Sequence, residues 1–234
     1  MFIFRLLLSY KQISFETVWI EYSEVERVCK EVGGLPTSTK PNGDPHYTVP
    51  FIKVTPPAGS KEPELVISDS TNIASYIEQK FPGDQPLIPP DTRVFQMVFR
   101  KYFDDVIQPT VYKIVLEPYL QVASEPKWFE KTREELLGMP LAKFIPKSHE
   151  EKEEALKVFE NAFDSLAQMV DDRNVGNYRF MNGNACYAEI VVVASLYFLK
   201  RVNPEEWSRF KDRNQGIWEK LLQCYAEFLP KFAM

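Results

Sequence analysis

Two short motifs have residue types that can bind a peptide-like ligand: Val49-Pro50 and Asp69-Ser70. Pro50 lies inside the apolar run 47–54, where it would normally break a strand because proline cannot donate to a β-ladder. A cis Val49–Pro50 bond at the start of the strand resolves this conflict and leaves the Val49 backbone free to pair with a group outside the sheet. Asp69 and Ser70 precede a helical pattern, where a carboxylate, a hydroxyl and free backbone N–H groups come together.

Three predicted strands and two helices position these motifs. Alternating residue types predict strands over 14–22 and 47–54, and a short apolar run predicts another over 65–67. Ser23 is expected to cap a helix that the glycine pair after Val32 ends. A second helix is predicted from Ser70 to Lys80, since Ile73, Ile77 and Phe81 fall on one face.

The remainder of the chain is expected to be helical. Four prolines between residues 81 and 90 indicate a linker. After it, Asp91 is expected to cap a long helix that buries Val94, Phe95, Val98, Phe99, Tyr102 and Phe103, with Pro109 kinking or interrupting it. Further helices are predicted from Pro126, from Ser148, over 185–202 and twice near the end, with a polar loop over 171–183. The predicted domains are therefore 1–82 and 91–234, joined by a linker at 83–90.

Composition and charge exclude some classes of function. With 44% hydrophobic and 26% charged residues, the chain is typical of a globular protein. The net charge of −5, without a clustered basic stripe, argues against a nucleic-acid partner. No apolar run approaches the roughly 20 residues that a membrane span needs. The three cysteines are far apart and neither they nor the two histidines have metal-ligand spacing, so no metal is expected.

Taken together, these motifs resemble the glutathione S-transferase family. The resemblance implies an α/β thioredoxin-like domain followed by an all-α domain, with glutathione as cosubstrate. Val49 and Pro50 would pair with the cysteinyl backbone of glutathione, and Asp69 and Ser70 would bind its γ-glutamyl end. A finer resemblance, carried by residues 19–22 and 36–50, is to a fungal class related to bacterial lignin β-etherases.

One further segment resembles the family and departs from it at one position. Family members usually place Ser/Thr-x-x-Asp at the start of the buried central helix, where it forms a capping box. Here those positions hold Cys186 and Glu189. The acid is retained, one carbon longer, whereas the hydroxyl is lost, and we expect Asn184 to cap the helix instead.

The amino terminus is short relative to this pattern. The family activates the glutathione thiol with Tyr, Ser or Cys at the junction of its first strand and first helix. Residues 1–13 resemble the end of that first helix, so the strand and the catalytic turn are expected to be missing, as in a truncated gene product. Ser9, Tyr10 and Ser14 have suitable chemistry but lie after the catalytic position, which leaves the catalytic residue unknown.

Other candidate site residues lie outside the two motifs. Lys40 and His46 could reach the glycyl carboxylate of glutathione, although a solvated loop is an equal interpretation. Tyr102 and Tyr112 are expected to be the exposed members of an aromatic row that lines an acceptor pocket, the alternative being a helical core stripe.

These features predict a glutathione transferase-like enzyme that conjugates the glutathione thiol to a small hydrophobic electrophile, or uses that thiol to cleave one, as in detoxification. The alternative is a non-catalytic protein of the same fold that binds glutathione and hydrophobic ligands. The resemblance implies a homodimer in the cytoplasm, with no membrane partner.

Overall fold

The computed structural model describes residues 2–83, 86–170, 179–181 and 184–229. The first part contains, in chain order, α1 (Phe2–Tyr10), a 3-10 turn (Tyr22–Glu24), α2 (Val25–Glu31), β1 (Ser38–Thr39), β2 (Pro45–His46), β3 (Phe51–Val54), β4 (Leu65–Ser68) and α3 (Ser70–Lys80). The second contains α4 (Arg93–Tyr102), a π-helical turn (Phe103–Ile107), α5 (Gln108–Val122), α6 (Pro126–Leu137), a 3-10 turn (Leu141–Lys143), α7 (His149–Ala167), α8 (Tyr187–Val202), α9 (Pro204–Phe210) and α10 (Arg213–Gln223). This order is the predicted α/β part followed by a helical part. The polar loop predicted over 171–183 lies largely outside the described residues.

The strands form two antiparallel pairs, β1 with β2 and β3 with β4. In the second pair Phe51 lies opposite Ser68 and Val54 lies opposite Leu65. The strand predicted over 14–22 is wrong, because residues 13–21 have no regular secondary structure. An alternating pattern becomes a strand only when a neighbouring strand satisfies its backbone groups, and within the described residues none lies beside this segment.

Residues 2–10 form a helix, as expected for this segment, rather than a strand. In α1, Leu6, Leu7 and Leu8 are buried. They join one hydrophobic core with Ile73 of α3 and with residues of α5 and α7 to α10, so the first and second parts share that core. Ser23 does not cap α2 as expected; its hydroxyl donates instead to Glu125 Oε1 at 2.7 Å.

Helix α8 is the buried central helix that the apolar run predicts, with 13 of its 16 residues buried. Its N-cap is Cys186, whose side chain makes no capping bond. The expectation that Asn184 caps the helix is wrong, since the Asn184 side chain is exposed and the cap lies two residues later.

Gln96 replaces the lost hydroxyl cap from another helix. Its side chain is buried and its Oε1 accepts from Ala188 N at 3.1 Å. Its Nε2 donates to Leu87 O at 2.9 Å, and the same carbonyl accepts from Tyr187 N at 2.9 Å. The first amides of α8 are therefore satisfied by the linker and by α4, which removes the need for a cap within the helix itself.

The face of α4 that the apolar pattern predicts to be buried is largely exposed. Val94, Phe95 and Val98 are 70%, 75% and 62% exposed. Gln96 and Phe103 occupy the inward face, and Phe99 packs partly against the core. The predicted apolar face did not include Gln96, which is polar. Its side-chain amide can be buried because both of its ends are hydrogen-bonded.

Local sequence signals predict the ends of several helices correctly. Ser148 forms a capping box with Glu151 at the start of α7, and Gly138 closes α6 with φ of 65°. The π-helical turn immediately before Pro109 is the expected interruption of the long helix. Asp91, however, is not the cap of α4; Thr92 takes that position without a side-chain capping bond.

A buried ion pair joins the end of α1 to the end of α3. Lys11 Nζ lies 2.8 Å from Glu78 Oε1, and the two side chains are only 6% and 7% exposed. The same ammonium donates to Pro82 O at 2.8 Å and to Phe81 O at 3.3 Å. The charge of Lys11 is thus shared among a carboxylate and two carbonyls, which offsets the cost of burying it.

Candidate functional site

The two ligand-binding motifs predicted from the sequence lie side by side. The Val49–Pro50 peptide bond is cis, as expected. Asp69 N donates to Pro50 O at 3.3 Å, and the next residues pair as Phe51 opposite Ser68. The start of β3 and the start of α3 therefore form one continuous edge of the molecule.

Asp69 holds the start of α3 in an uncommon conformation. Its φ is 78°, in the left-handed region that non-glycine residues rarely adopt. Its Oδ1 accepts from Thr71 N at 2.8 Å and from Asn72 N at 3.1 Å, so the side chain caps the helix. Strain of this kind is often found at ligand sites.

Ser70 is the first residue of α3 and has no hydrogen-bond partner for its hydroxyl among the described residues. The side chain is half-buried, and it stands at the positive end of an 11-residue helix. A carboxylate would find a hydroxyl and backbone N–H donors together at this position.

Arg100 adds a positive charge to this end of α3, and sequence reasoning did not single it out. Its Nε donates to Asp104 Oδ2 at 2.7 Å, while its Nη1 is buried without a partner among the described residues. Tyr187 OH lies 3.5 Å from Thr71 Oγ1, and its pKa is raised by burial and lowered by nearby Arg100. An Arg–Asp pair four residues apart resembles an ordinary surface pair in the sequence, so no local signal indicated this position.

Lys40 and His46 lie on the neighbouring β1–β2 hairpin. His46 Nδ1 shares a hydrogen bond of 3.0 Å with Ser38 Oγ, and Lys40 Nζ lies 3.9 Å from Glu26 Oε2. Burial lowers the pKa of His46, and the positive charges of Arg133 and Lys40 lower it further. Lys40 and His46, which were predicted to bind the glycyl carboxylate, are thus near each other. The guanidinium of Arg133 on α6 also lies within electrostatic reach of His46.

Tyr102 and Tyr112 lie on the long interrupted helix. Tyr102 is half-buried, with its ring centre 6.4 Å from that of Phe99. Tyr112 is 48% exposed, yet desolvation by the surrounding protein raises its pKa, and Arg133 partly opposes this rise. Both tyrosines therefore keep part of their surface accessible, as side chains that line an acceptor pocket would.

Hydrogen bonds connect the 3-10 turn of the first part to α5 and α6. Tyr22 OH and Tyr119 OH share a hydrogen bond, and burial together with this bond raises the pKa of Tyr119 far above its ordinary value. Glu125 accepts from Ser23 N at 2.9 Å, and Ser124 Oγ donates to Glu21 at 2.6 Å. We call these contacts the Tyr22 bridge. A small second hydrophobic core lies beneath it, formed by Leu116, Phe129 and Leu141.

The residues near the amino terminus that have catalytic chemistry lie apart from these motifs. Ser9 and Tyr10 belong to α1, and the Tyr10 ring packs 5.8 Å from Tyr225 and 5.0 Å from Phe228. Ser14 is exposed in the irregular segment. Tyr10 therefore packs against the hydrophobic core.

Family comparisons match both parts of the chain. The model of the glutathione S-transferase N-terminal domain matches residues 4–85, and that of the C-terminal domain matches residues 94–228. The chain belongs to the glutathione S-transferase family. A curated relative, the glutathione S-transferase-like protein ustS of Aspergillus flavus, is 23% identical over 233 residues, which cover 96% of this chain and 82% of the relative.

Solved glutathione transferases have the same fold. Glutathione transferase GSTFuA3 of Phanerochaete chrysosporium is 26% identical with a TM-score of 0.85, covering 99% of this chain and 90% of its own. A glutathione S-transferase of Ceriporiopsis subvermispora, solved in complex with glutathione, is 29% identical with a TM-score of 0.85. The match covers 99% of this chain and 91% of the Ceriporiopsis chain. The predicted fold class, a thioredoxin-like domain followed by a helical domain, is confirmed.

The described residues contain neither a cluster of metal ligands nor a membrane-spanning helix. No group of three or more His, Cys, Asp or Glu side chains in them could hold a metal ion. No helix in the part of the chain that the structure describes is long and apolar enough to cross a membrane.

Proposed function

We propose that this protein binds glutathione along the edge formed by β3 and α3. The Val49 backbone beside Pro50 pairs with the cysteinyl unit of glutathione. Ser70 and the first amides of α3 bind the γ-glutamyl carboxylate, and the second carboxylate oxygen of Asp69 accepts from the γ-glutamyl ammonium group. The observation that carries this proposal is the Asp69 N to Pro50 O bond, which joins both motifs into one site. Lys40 and His46 serve the glycyl end.

We further propose that the bound glutathione attacks a small hydrophobic electrophile. The thiol loses its proton, the resulting thiolate forms a bond from sulfur to an electrophilic carbon, and the leaving group departs with its electron pair. Tyr102 and Tyr112 line the acceptor pocket. Ether-type aromatic acceptors, as in the β-etherase-related class, are one substrate class to test.

The test of glutathione binding is isothermal titration calorimetry of the wild type and Ser70→Ala. We expect Ser70→Ala to weaken glutathione binding at least tenfold, since one hydrogen bond to a charged group contributes roughly 1.5–3 kcal/mol and about 1.4 kcal/mol corresponds to a tenfold change. Ser208→Ala, an exposed serine of α9, is the matched control and should bind as the wild type does. Equal affinity in all three proteins contradicts the assigned site.

A second candidate function is glutathione binding without transfer. It is favoured by the placement of Tyr10, whose ring packs into the aromatic cluster with Tyr225 and Phe228. A conjugation assay with an aromatic electrophile, run beside the calorimetry, separates the two functions. Turnover that depends on glutathione supports the transferase, and binding without turnover supports the ligand-binding protein.

We also propose that the protein is a homodimer that uses the exposed face of α4. Val94, Phe95 and Val98 form an apolar strip that the chain itself leaves uncovered. Light scattering should report a dimer for the wild type and a shift toward monomer for Phe95→Ser. A monomeric wild type at all concentrations contradicts this. All three cysteines are free thiols, which supports a reducing, cytoplasmic compartment.

A further inference from the structure

Arg133 of α6 differs from most other arginines of the described chain. Five of them form ion pairs with a carboxylate: Arg27, Arg100, Arg179, Arg209 and Arg213. Within the described residues, no carboxylate lies within 4.0 Å of the Arg133 guanidinium, and no hydrogen bond engages it. The side chain is half-buried, and its N–H donors remain available to a ligand.

The position of this guanidinium is fixed by an aromatic ring. Its central carbon lies 4.4 Å from the centre of the Phe129 ring, and Phe129 is buried. The Tyr119 and Tyr22 rings meet Phe129 at 5.0 Å and 5.5 Å. A guanidinium stacked on a ring face keeps its N–H fork free, and that fork matches the two oxygens of a carboxylate.

The surroundings favour an anion over a cation. Among the other charged groups that act on His46 and Tyr112, Lys40 lies 3.9 Å from Glu26 and Arg100 lies 2.7 Å from Asp104. Within the described residues, Arg133 is therefore the cation of this set that no carboxylate neutralises. The phenol groups of Tyr22, Tyr112 and Tyr119 supply further polar donors beside the aromatic surface. Arg133 lowers the pKa of His46 and of Tyr112, so its charge reaches both the hairpin and α5.

We propose that Arg133 binds a carboxylate beside the aromatic cluster of Phe129, Tyr22 and Tyr119. This inference rests on the proposed function for the source of the carboxylate. Two sources supply it: the glycyl end of glutathione, or an acidic group on an aromatic acceptor. In the second case the preferred substrates are aromatic acids, with the ring against the tyrosines and the acid on the guanidinium.

Calorimetry with two matched pairs of ligands tests the proposal. The first pair is glutathione and its glycyl monoethyl ester, and the second is 2-naphthoate and methyl 2-naphthoate. In the wild type, the acid of at least one pair should bind about tenfold more tightly than its ester. Arg133→Gln should abolish that difference, and Arg133→Lys should retain part of it.

The control is Lys131→Gln, which removes the same charge from an exposed position of the same helix. It should leave the preference for the acid unchanged, and the melting temperatures of all variants should agree within a few degrees. A preference lost only in the glutathione pair assigns the glycyl carboxylate, and one lost only in the naphthoate pair assigns the acceptor. Equal binding of acid and ester in both pairs, or a preference that Arg133→Gln leaves intact, overturns the proposal.

The two proposals fail separately. If glutathione and its ester bind neither to the wild type nor to any variant, the proposed glutathione site is wrong. The naphthoate pair still decides the role of Arg133 in that case, because it requires no glutathione. If glutathione binds and Ser70→Ala weakens it while the Arg133 variants change nothing, only the carboxylate proposal fails.

Discussion

Helix α8 and the strand pair β3–β4 are built in opposite ways. In α8 nearly every side chain is buried, and its first amides are bonded to other elements. In β3 and β4, Ser68 is the buried residue and the other side chains keep part of their surface exposed. The proposed glutathione contacts, Val49-Pro50 and Asp69-Ser70, directly adjoin this strand pair. Regions with few buried contacts open more easily, so the binding edge depends on the helical core for its position.

The largest effect should come from the core. Phe163→Ala in α7 should cost about 3–5 kcal/mol of unfolding free energy, the range for a buried aromatic ring. The Phe163 ring has no exposed surface and lies 5.2 Å from Trp218 and 5.3 Å from Phe210. Denaturant titration measures the loss. Val158→Ala, half-exposed on the same helix, should stay within about 0.5 kcal/mol; similar losses for both would contradict a core of this kind.

Removing the Gln96 amide that caps α8 should cause the next largest loss of stability. Gln96→Leu leaves the Ala188 amide buried without a partner, which costs about 1–3 kcal/mol. Thermal unfolding of Gln96→Leu against Gln121→Leu, an exposed glutamine of α5, measures it. If Gln96→Leu unfolds at the wild-type temperature, the amide does not substitute for the lost hydroxyl cap.

Substitutions of Asp69 test the proposed glutathione site, because their effects on folding stability and on glutathione affinity should differ. Asp69→Ala should cost about 1 kcal/mol as a lost N-cap. Asp69→Asn should be close to neutral for folding, since asparagine also caps helices and tolerates positive φ. Both variants remove the carboxylate and should weaken glutathione binding in calorimetry. An Asp69→Asn protein with wild-type affinity would show that the residue acts only as a cap.

The smallest effect concerns the pH dependence of folding. Burial lowers the pKa of His46 in the folded protein, so the folded state favours the neutral ring. Above the unfolded pKa of about 6.5 this makes no difference. As the pH falls through that value, the unfolded chain binds the proton first, and folding becomes less favourable. Denaturant titrations between pH 7 and pH 5 should therefore show a smaller loss for His46→Gln than for the wild type.

His149→Gln is the matched control for that titration. His149 is exposed at the start of α7, so its replacement removes one imidazole without changing the surroundings of His46. A His46→Gln slope equal to the wild-type slope would contradict a contribution from His46.

Local chemistry was predictable from the sequence. The Ser148–Glu151 capping box, the turn at Gly138 and the buried run of α8 each depend on residues close together in the chain. The adjacency of Pro50 and Asp69 was predictable as well, because one hairpin separates them.

The predictions that were wrong concerned residues whose contacts lie far away in the sequence. The segment 14–22 has a strand pattern without a neighbouring strand, and the buried face of α4 is set by Gln96 bonding to Ala188 across the core. Arg133 and the Tyr22–Tyr119 bond were missed for the same reason, since their partners lie on other elements. No periodicity of a single segment indicates such pairs.

The buried ion pair of Lys11 and the exposed bonds of the Tyr22 bridge should differ in how readily they open. The ammonium group of Lys11 is buried between the end of α1 and the end of α3, where it also bonds the backbone carbonyls of Phe81 and Pro82. The Tyr22 bridge is on the side where the first part meets α5 and α6, and two of its polar bonds are exposed to solvent. Exposed hydrogen bonds exchange readily with water. Amide exchange near residues 21–24 should therefore be faster than at the end of α3, because the bridge bonds are open to water while the Lys11 ion pair is buried.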